Sequence, residues 1–99
     1  MNKVFNMLGL ATKAGKTVSG EFSVEKAIKS KNAYLVFVSK EASDGTKKKF
    51  NDKCKYYDVP IYIEGTSEEL GKVTGNKDRM SLAVLDKSFA DRIIEMIEG

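Results

Sequence analysis

The run Tyr34-Leu35-Val36-Phe37-Val38 sets five large apolar side chains in succession, with no polar residue left to face water. A strand that is apolar on both faces must be covered on both, and helices are the usual cover. Ser81-Leu82-Ala83-Val84-Leu85 makes the same demand, and Val59-Pro60-Ile61-Tyr62-Ile63 reads as a further core strand. Pro60 stands at the start of its run, where a missing N–H donor does least harm to a ladder.

Between these runs the period changes to that of helices. Val4, Met7, Leu8 and Ala11 share a helical face, with Gly15 placed as a C-terminal stop. Gly9 inside that helix costs roughly 1 kcal/mol relative to alanine, which implies a close packing contact there. Thr17-Val18-Ser19 reads as a short strand. A second helix starts near Gly20, with Val24, Ala27 and Ile28 on one face and a Glu25/Lys29 pair at i,i+4 on another. Ser43-Asp44 opens a third, in which Phe50, Cys54 and Tyr57 fall at i, i+4 and i+7. Thr66-Ser67-Glu68-Glu69 has the form of a capping box, and the short helix it opens closes near Gly75. Ser88 is the expected cap of the last helix, whose stripe is Phe89, Ile93, Met96 and Ile97. The order α-β-α-β-α-β-α-β-α specifies an α/β fold: a three-layer α/β/α sandwich with a small mixed sheet of about four strands and helices on both faces. With 99 residues, no linker and no repeat, one domain over residues 1–99 is expected.

Several function classes drop out. There is no histidine and only one cysteine, Cys54, so His-based triads, the usual zinc clusters and an intramolecular disulfide are excluded. Cys54 sits on an apolar stripe without a base to activate it and reads as a core residue. Ala14-Gly15-Lys16-Thr17 has the ending of a phosphate-binding loop, but Leu10 stands where the first glycine is required, and a helix precedes rather than follows. No paired carboxylates gather in one segment. No cofactor or metal site is therefore expected, and no enzyme. No apolar run is long enough to span a membrane, and the N-terminus lacks the form of a signal peptide, so a cytoplasmic location is expected.

Charge is the more informative signal. Residues 1–56 carry 12 lysines against 5 acids, whereas residues 57–99 carry 5 Lys/Arg against 9 acids. A basic side suited to a polyanion follows, against the plainer reading of a solvated lysine surface. Lys26 and Lys29, Lys47 to Lys49, and Lys77 with Arg79 all fall near helix starts or loops, where free backbone N–H groups also favour phosphate.

One resemblance joins these pieces. Val18-Ser19-Gly20-Glu21-Phe22-Ser23-Val24-Glu25-Lys26-Ala27-Ile28 resembles the kink-turn-binding ribosomal protein family that contains large-subunit proteins seven-Ae and thirty-e. The likeness continues through Ala33 to Ser43, Val59-Pro60-Ile61, Glu69-Leu70-Gly71-Lys72 with Gly75, and Leu82-Ala83-Val84. Leu8-Gly9-Leu10-Ala11, Ala14-Gly15-Lys16, Lys48-Lys49 and Lys53-Cys54 resemble a bacterial, ribosomal-protein-like branch of it.

The resemblance implies a non-catalytic protein whose partner is RNA, a kink-turn or ribosomal RNA, with the ribosome as a candidate assembly and no membrane. Two elements would meet the RNA. The first is the loop into the second helix, where the family has Gly-x-Asn-Glu-x-x-Lys. Gly20 and Lys26 match it, but Phe22 and Ser23 replace the asparagine and glutamate that read sheared G·A pairs. The second is the loop Asn76-Lys77-Asp78-Arg79-Met80-Ser81, polar where many relatives are apolar. The implied contact set is Ser19, Gly20, Glu21, Phe22, Ser23, Lys26, Lys29, Lys40, Lys77, Asp78, Arg79 and Met80. Within it Arg79 would stack on a base or hold phosphate, Met80 would touch a flipped base, and Glu21 would accept a base amino hydrogen. Phe22 is a stacking platform if exposed and a helix staple if buried; aromatics at helix starts usually pack, which favours burial. A protein-interaction adaptor on the same fold is the alternative, favoured by the substituted Asn-Glu positions and the acidic second half.

Overall fold

The computed structural model describes residues 1–99. Nine elements alternate along the chain: α1 (Asn2–Lys13), β1 (Thr17–Ser19), α2 (Glu21–Lys29), β2 (Leu35–Val38), α3 (Asp44–Tyr57), β3 (Ile61–Ile63), α4 (Ser67–Val73), β4 (Ser81–Val84) and α5 (Lys87–Glu98). The strands form one mixed sheet in the order β1-β4-β2-β3. β4 runs antiparallel to both β1 and β2, while β2 and β3 are parallel, joined by α3 as the crossover helix.

The two faces of the sheet are covered as the apolar runs require. Val36 and Val38 of β2 and Ala83 of β4 face α2 and α3, packing with Val24, Ile28, Phe50 and Cys54. Leu35 and Phe37, with Leu82 and Val84, face the other way onto Val4, Leu8, Leu70 and Ile93 of α1, α4 and α5. Residues 35–38 and 81–84 are all buried, so both central strands are covered on each side. β3 is only half-buried, because it forms the sheet edge beyond β2 and has helices but no further strand beside it. As a core strand it still packs Ile61 and Ile63 against the α2–α3 side and Tyr62 against the other.

The helix ends follow local chemistry. Ser43 Oγ accepts from the Thr46 N–H, and Thr66 with Glu69 completes the capping box. Gly15, at φ +72°, ends α1 while the Lys16 N–H bonds back to the Ala11 carbonyl. Three expectations need correction. Asp86, not Ser88, caps α5: its Oδ2 accepts from the Phe89 N–H, and Asp91 pairs with Lys87 at 2.8 Å. Met96 lies exposed, since α5 turns only Ala90 and Ile93 fully inward. Gly9 has no close contact: a Cβ there would meet nothing within 4 Å.

Candidate nucleic-acid interface

Strand directions decide which loops meet. The C-terminal ends of β1, β2 and β3 and the N-terminal end of β4 lie at one edge of the sheet, where Ser19 pairs with Leu82, and Val38 with both Ser81 and Ile63. The β1–α2, β2–α3, β3–α4 and α4–β4 connections therefore form a single rim. Backbone bonds stitch it together: the Gly20 N–H donates to the Ser81 carbonyl, Ser39 to Met80, Lys40 to Gly65, and Arg79 to Ser67. Glu41 adds a side-chain tie, accepting the Ser67 N–H at 2.8 Å, a bond that holds its carboxyl below the usual range.

Gly20 adopts φ +92° and ψ +152°, a region essentially reserved for glycine, and the strand turns directly into α2 there. Without a side-chain acceptor at Gly20, the first turn at Glu21, Phe22 and Ser23 is uncapped, unlike the starts of α3, α4 and α5. Phe22 is 78% exposed, which corrects the expectation of burial. The reason is geometric. At 100° per residue, Phe22 lies almost opposite Val24, and Val24, Ala27 and Ile28 are the residues that α2 turns to the core.

Across the rim, the α4–β4 connection is seated on α4. Gly71 lies under Lys77 and Asp78: a Cβ at Gly71 would come within 2.5 Å of the Lys77 carbonyl oxygen and 2.7 Å of the Asp78 nitrogen. Asn76 donates its N–H to the Gly71 carbonyl at 2.7 Å. The Arg79 guanidinium donates to Ser19 Oγ, Asn76 Oδ1 and the Asp78 carbonyl, while Met80 is 44% exposed. Ser81 Oγ, beneath the rim, is the one buried side-chain polar atom without a hydrogen-bond partner.

The lysines divide sharply. Glu25 gathers Lys53 at 3.1 Å, Lys49 at 3.1 Å and Lys29 at 3.5 Å, binding α2 to α3. Hydrogen bonds from Lys53 and Lys49, aided by the charge of Lys29, hold its carboxyl down at about 2. Glu21 is also paired with Lys49, at 3.0 Å, so the carboxylate expected to read a base is already engaged. Lys40 pairs with Glu64 at 3.2 Å, and Lys48 with Asp52 at 2.9 Å. Of the lysines expected at the interface, Lys26 and Lys77 are exposed and have no acid within 4 Å. Lys29 lies at the far end of α2, about 12 Å along the axis from Glu21. The structure thus brings Ser19 to Ser23, Lys40 and Lys77 to Met80 onto one rim, with Lys26 one helical turn behind it.

Sequence reasoning missed Asn76 as an anchoring residue, and Gly71, Ser67 and Glu41 as the parts that hold the rim. Gly71 alone carried a local signal, being an isolated glycine inside a helical pattern.

Comparison with known proteins is decisive at this point: the ribosomal protein L7Ae/L30e/S12e/Gadd45 family model matches residues 2–94. The chain belongs to this family. It is 42% identical over 94 residues to the RNA-binding protein YlxQ of Bacillus subtilis (strain 168), a match covering 95% of this chain and 94% of that one. Large ribosomal subunit protein eL30 of Methanosphaera stadtmanae is 27% identical over 90% of this chain and 92% of its own. A solved structure from Bacillus halodurans, of a protein of unknown function, superposes with a TM-score of 0.93 at 34% identity and 98% coverage of both chains. The four-stranded sandwich is the fold shared with that solved structure, and the 42% identity to YlxQ of Bacillus subtilis agrees with the resemblance to a bacterial branch of the family.

Proposed function

We propose that this chain is a non-catalytic RNA-binding protein that recognises a kink-turn or a similarly bent RNA through the rim, residues 1–99 acting as one unit. The observation that carries the reading is the meeting of two elements on that rim. One is the uncapped start of α2, with Phe22 outward and Lys26 unpaired; the other is the α4–β4 connection, with Lys77 and Met80 outward. Bases splayed from a bend expose faces for stacking, and an exposed aromatic beside backbone N–H groups suits them. Phe22 would therefore stack where the family pattern has asparagine, and Met80 would pack on a second base. Lys26 and Lys77 would hold phosphates, with Lys40 and Lys29 giving a weaker, already neutralised charge. Ser23 and Asp78 would lie within the contact surface, and Glu21 would reach a base only by releasing Lys49. The family model is that of ribosomal proteins, YlxQ is named an RNA-binding protein and eL30 a large-subunit ribosomal protein, which supports a non-enzymatic, ribosomal-protein-like, ribonucleoprotein role. No helix is long and apolar enough to cross a membrane, and a cytoplasmic location belongs to this proposal.

The test is affinity for a kink-turn RNA and for a straight duplex of equal length across several salt concentrations. A preference of at least ~10-fold for the bent RNA is expected, beyond what charge alone supplies. Lys26→Ala should weaken binding and reduce the slope of log affinity against log salt by about one. Equal, weak, salt-sensitive binding to both RNAs would refute the proposal. The adaptor reading is favoured by one feature, an open groove between α1 and α4 lined by Phe5, Gly9, Leu10, Lys13 and Lys72, with Leu10 52% exposed. A partner held there would stay bound after ribonuclease treatment.

A further inference from the structure

Arg79 was expected to offer its charge outward, to phosphate or a base. Its guanidinium is turned inward instead, and spread over three neutral acceptors. Nε donates to Ser19 Oγ at 3.1 Å, Nη2 to Asn76 Oδ1 at 3.0 Å, and Nη1 to the Asp78 carbonyl at 2.9 Å. Asn76 Nδ2 reaches the same Ser19 hydroxyl at 3.3 Å, so two donors from the α4–β4 connection converge on the last residue of β1. The Arg79 backbone N–H, at 2.9 Å from the Ser67 carbonyl, fastens the residue to the start of α4 as well.

No carboxylate lies within 4 Å of this half-buried cation, although Asp78 is its neighbour in sequence. Ion pairing therefore does not explain the position of the side chain. What it supplies is geometry, since a rigid planar fork carries its donors on three separated nitrogens at fixed angles, whereas the three donors of a lysine share one nitrogen. The segments joined are the two that the proposed function assigns to RNA. Ser19 precedes Gly20 directly, and Asn76 and Asp78 flank Lys77.

We infer that Arg79 is a positioning residue that latches the α4–β4 connection to the β1–α2 turn, so that the two elements meet the RNA as one preformed surface. The inference rests on the RNA reading for its consequence, though the latch itself is a property of the free protein. Without it, the two elements are correctly placed only part of the time, and apparent affinity falls by that fraction.

The experiment compares the intact wild-type chain with Arg79→Ala, Arg79→Lys and Ser19→Ala, each confirmed folded at the assay temperature by a thermal melt. Binding to a kink-turn RNA and to a straight duplex is measured over a range of salt. Arg79→Ala and Arg79→Lys should both lower kink-turn affinity, by about tenfold if the competent population falls to a tenth. Duplex binding and the salt slope should stay unchanged. Ser19→Ala should act in the same direction, and combining it with Arg79→Ala should add little, because the pair acts as one unit. A direct phosphate contact gives the opposite pattern: Arg79→Lys keeps most of the affinity, and Arg79→Ala flattens the salt slope by about one on both RNAs. That result would overturn the latch.

If wild-type protein shows no preference for bent RNA, the RNA reading fails, and amide hydrogen exchange in the free protein decides the latch by itself. Arg79→Ala should then speed exchange at the Gly20 N–H, which belongs to the other element. Unchanged exchange at Gly20 would overturn it.

Discussion

Replacing Gly71 by alanine tests whether the α4–β4 connection is seated as described, because two familiar effects pull in opposite directions. In an exposed helix, glycine to alanine stabilises by about 1 kcal/mol through backbone entropy. At Gly71, however, the added Cβ would lie 2.5 Å from the Lys77 carbonyl oxygen, 2.6 Å from its carbon and 2.7 Å from the Asp78 nitrogen, against ordinary contact at 3.4–4 Å. The obstacle is backbone, which cannot swing aside as a side-chain tip can. The connection must therefore retreat by about 1 Å, the gap between those distances. Overpacking of that kind costs about 1–3 kcal/mol, and with three backbone atoms in the way the upper end applies. After the helix-propensity gain, a net loss of about 2 kcal/mol remains, or roughly 8–16 °C in Tm for a domain of this size. The retreat also strains the bond from the Asn76 N–H to the Gly71 carbonyl and pulls Arg79 from Ser19, so kink-turn affinity should fall as well. Gly9→Ala is the internal control. Its Cβ meets nothing within 4 Å, and Tm should rise by about 4–8 °C, the equivalent of 1 kcal/mol. Thermal melts of the two variants read both signs. A Gly71→Ala protein at least as stable as wild type would refute the seating of the connection on α4.

Two further outcomes follow from groups away from the rim. The Glu25 carboxyl is held at about 2, below its ordinary 4.5, by hydrogen bonds from Lys53 and Lys49 and the nearby charge of Lys29. A carboxyl lowered on folding adds stability that is complete above pH 4.5 and is lost as pH falls toward 2. Denaturant titrations across that range should show a steep acid limb, flatter in Glu25→Gln and weaker in 1 M salt; identical limbs would remove the α2–α3 cluster from the account. Burial pushes the Cys54 thiol up to about 12. Iodoacetamide at pH 8 should therefore modify the folded protein only as fast as it unfolds, whereas rapid labelling of native protein would show that Cys54 is not in the core.

What the sequence by itself determined is what residues within about one helical turn of each other can encode. The apolar runs Tyr34–Val38 and Ser81–Leu85 required cover on both faces, and the structure buries 35–38 and 81–84 while leaving Tyr34 exposed and Leu85 half-buried at the strand ends. The caps at Ser43 and Thr66, the stop at Gly15 and the core position of Cys54 were legible for the same reason: each depends on a spacing of a few residues. Asp86 shows where local reading slips: two residues before the expected Ser88, it accepts the Phe89 N–H and opens α5. Phe22 slipped for a different reason: the helical spacing of Val24, Ala27 and Ile28 already put it on the outer face, against the general tendency of aromatics to pack.

The candidate interface depended on something no local pattern holds. Lys49 meets Glu21 across 28 positions, Asn76 meets Ser19 across 57 and Arg79 meets Ser19 across 60. Those meetings exist because β4 inserts between β1 and β2, running antiparallel to both, which carries the α4–β4 connection back to the end of the first strand. A lysine-rich first half announced a basic protein. Only the tertiary structure decided which charges are spent on Glu21, Glu25 and Glu64, and which, Lys26 and Lys77 among them, stay unpaired. A side chain's charge is fixed by its chemistry, but its availability is fixed by whatever the fold brings within a few ångströms of it.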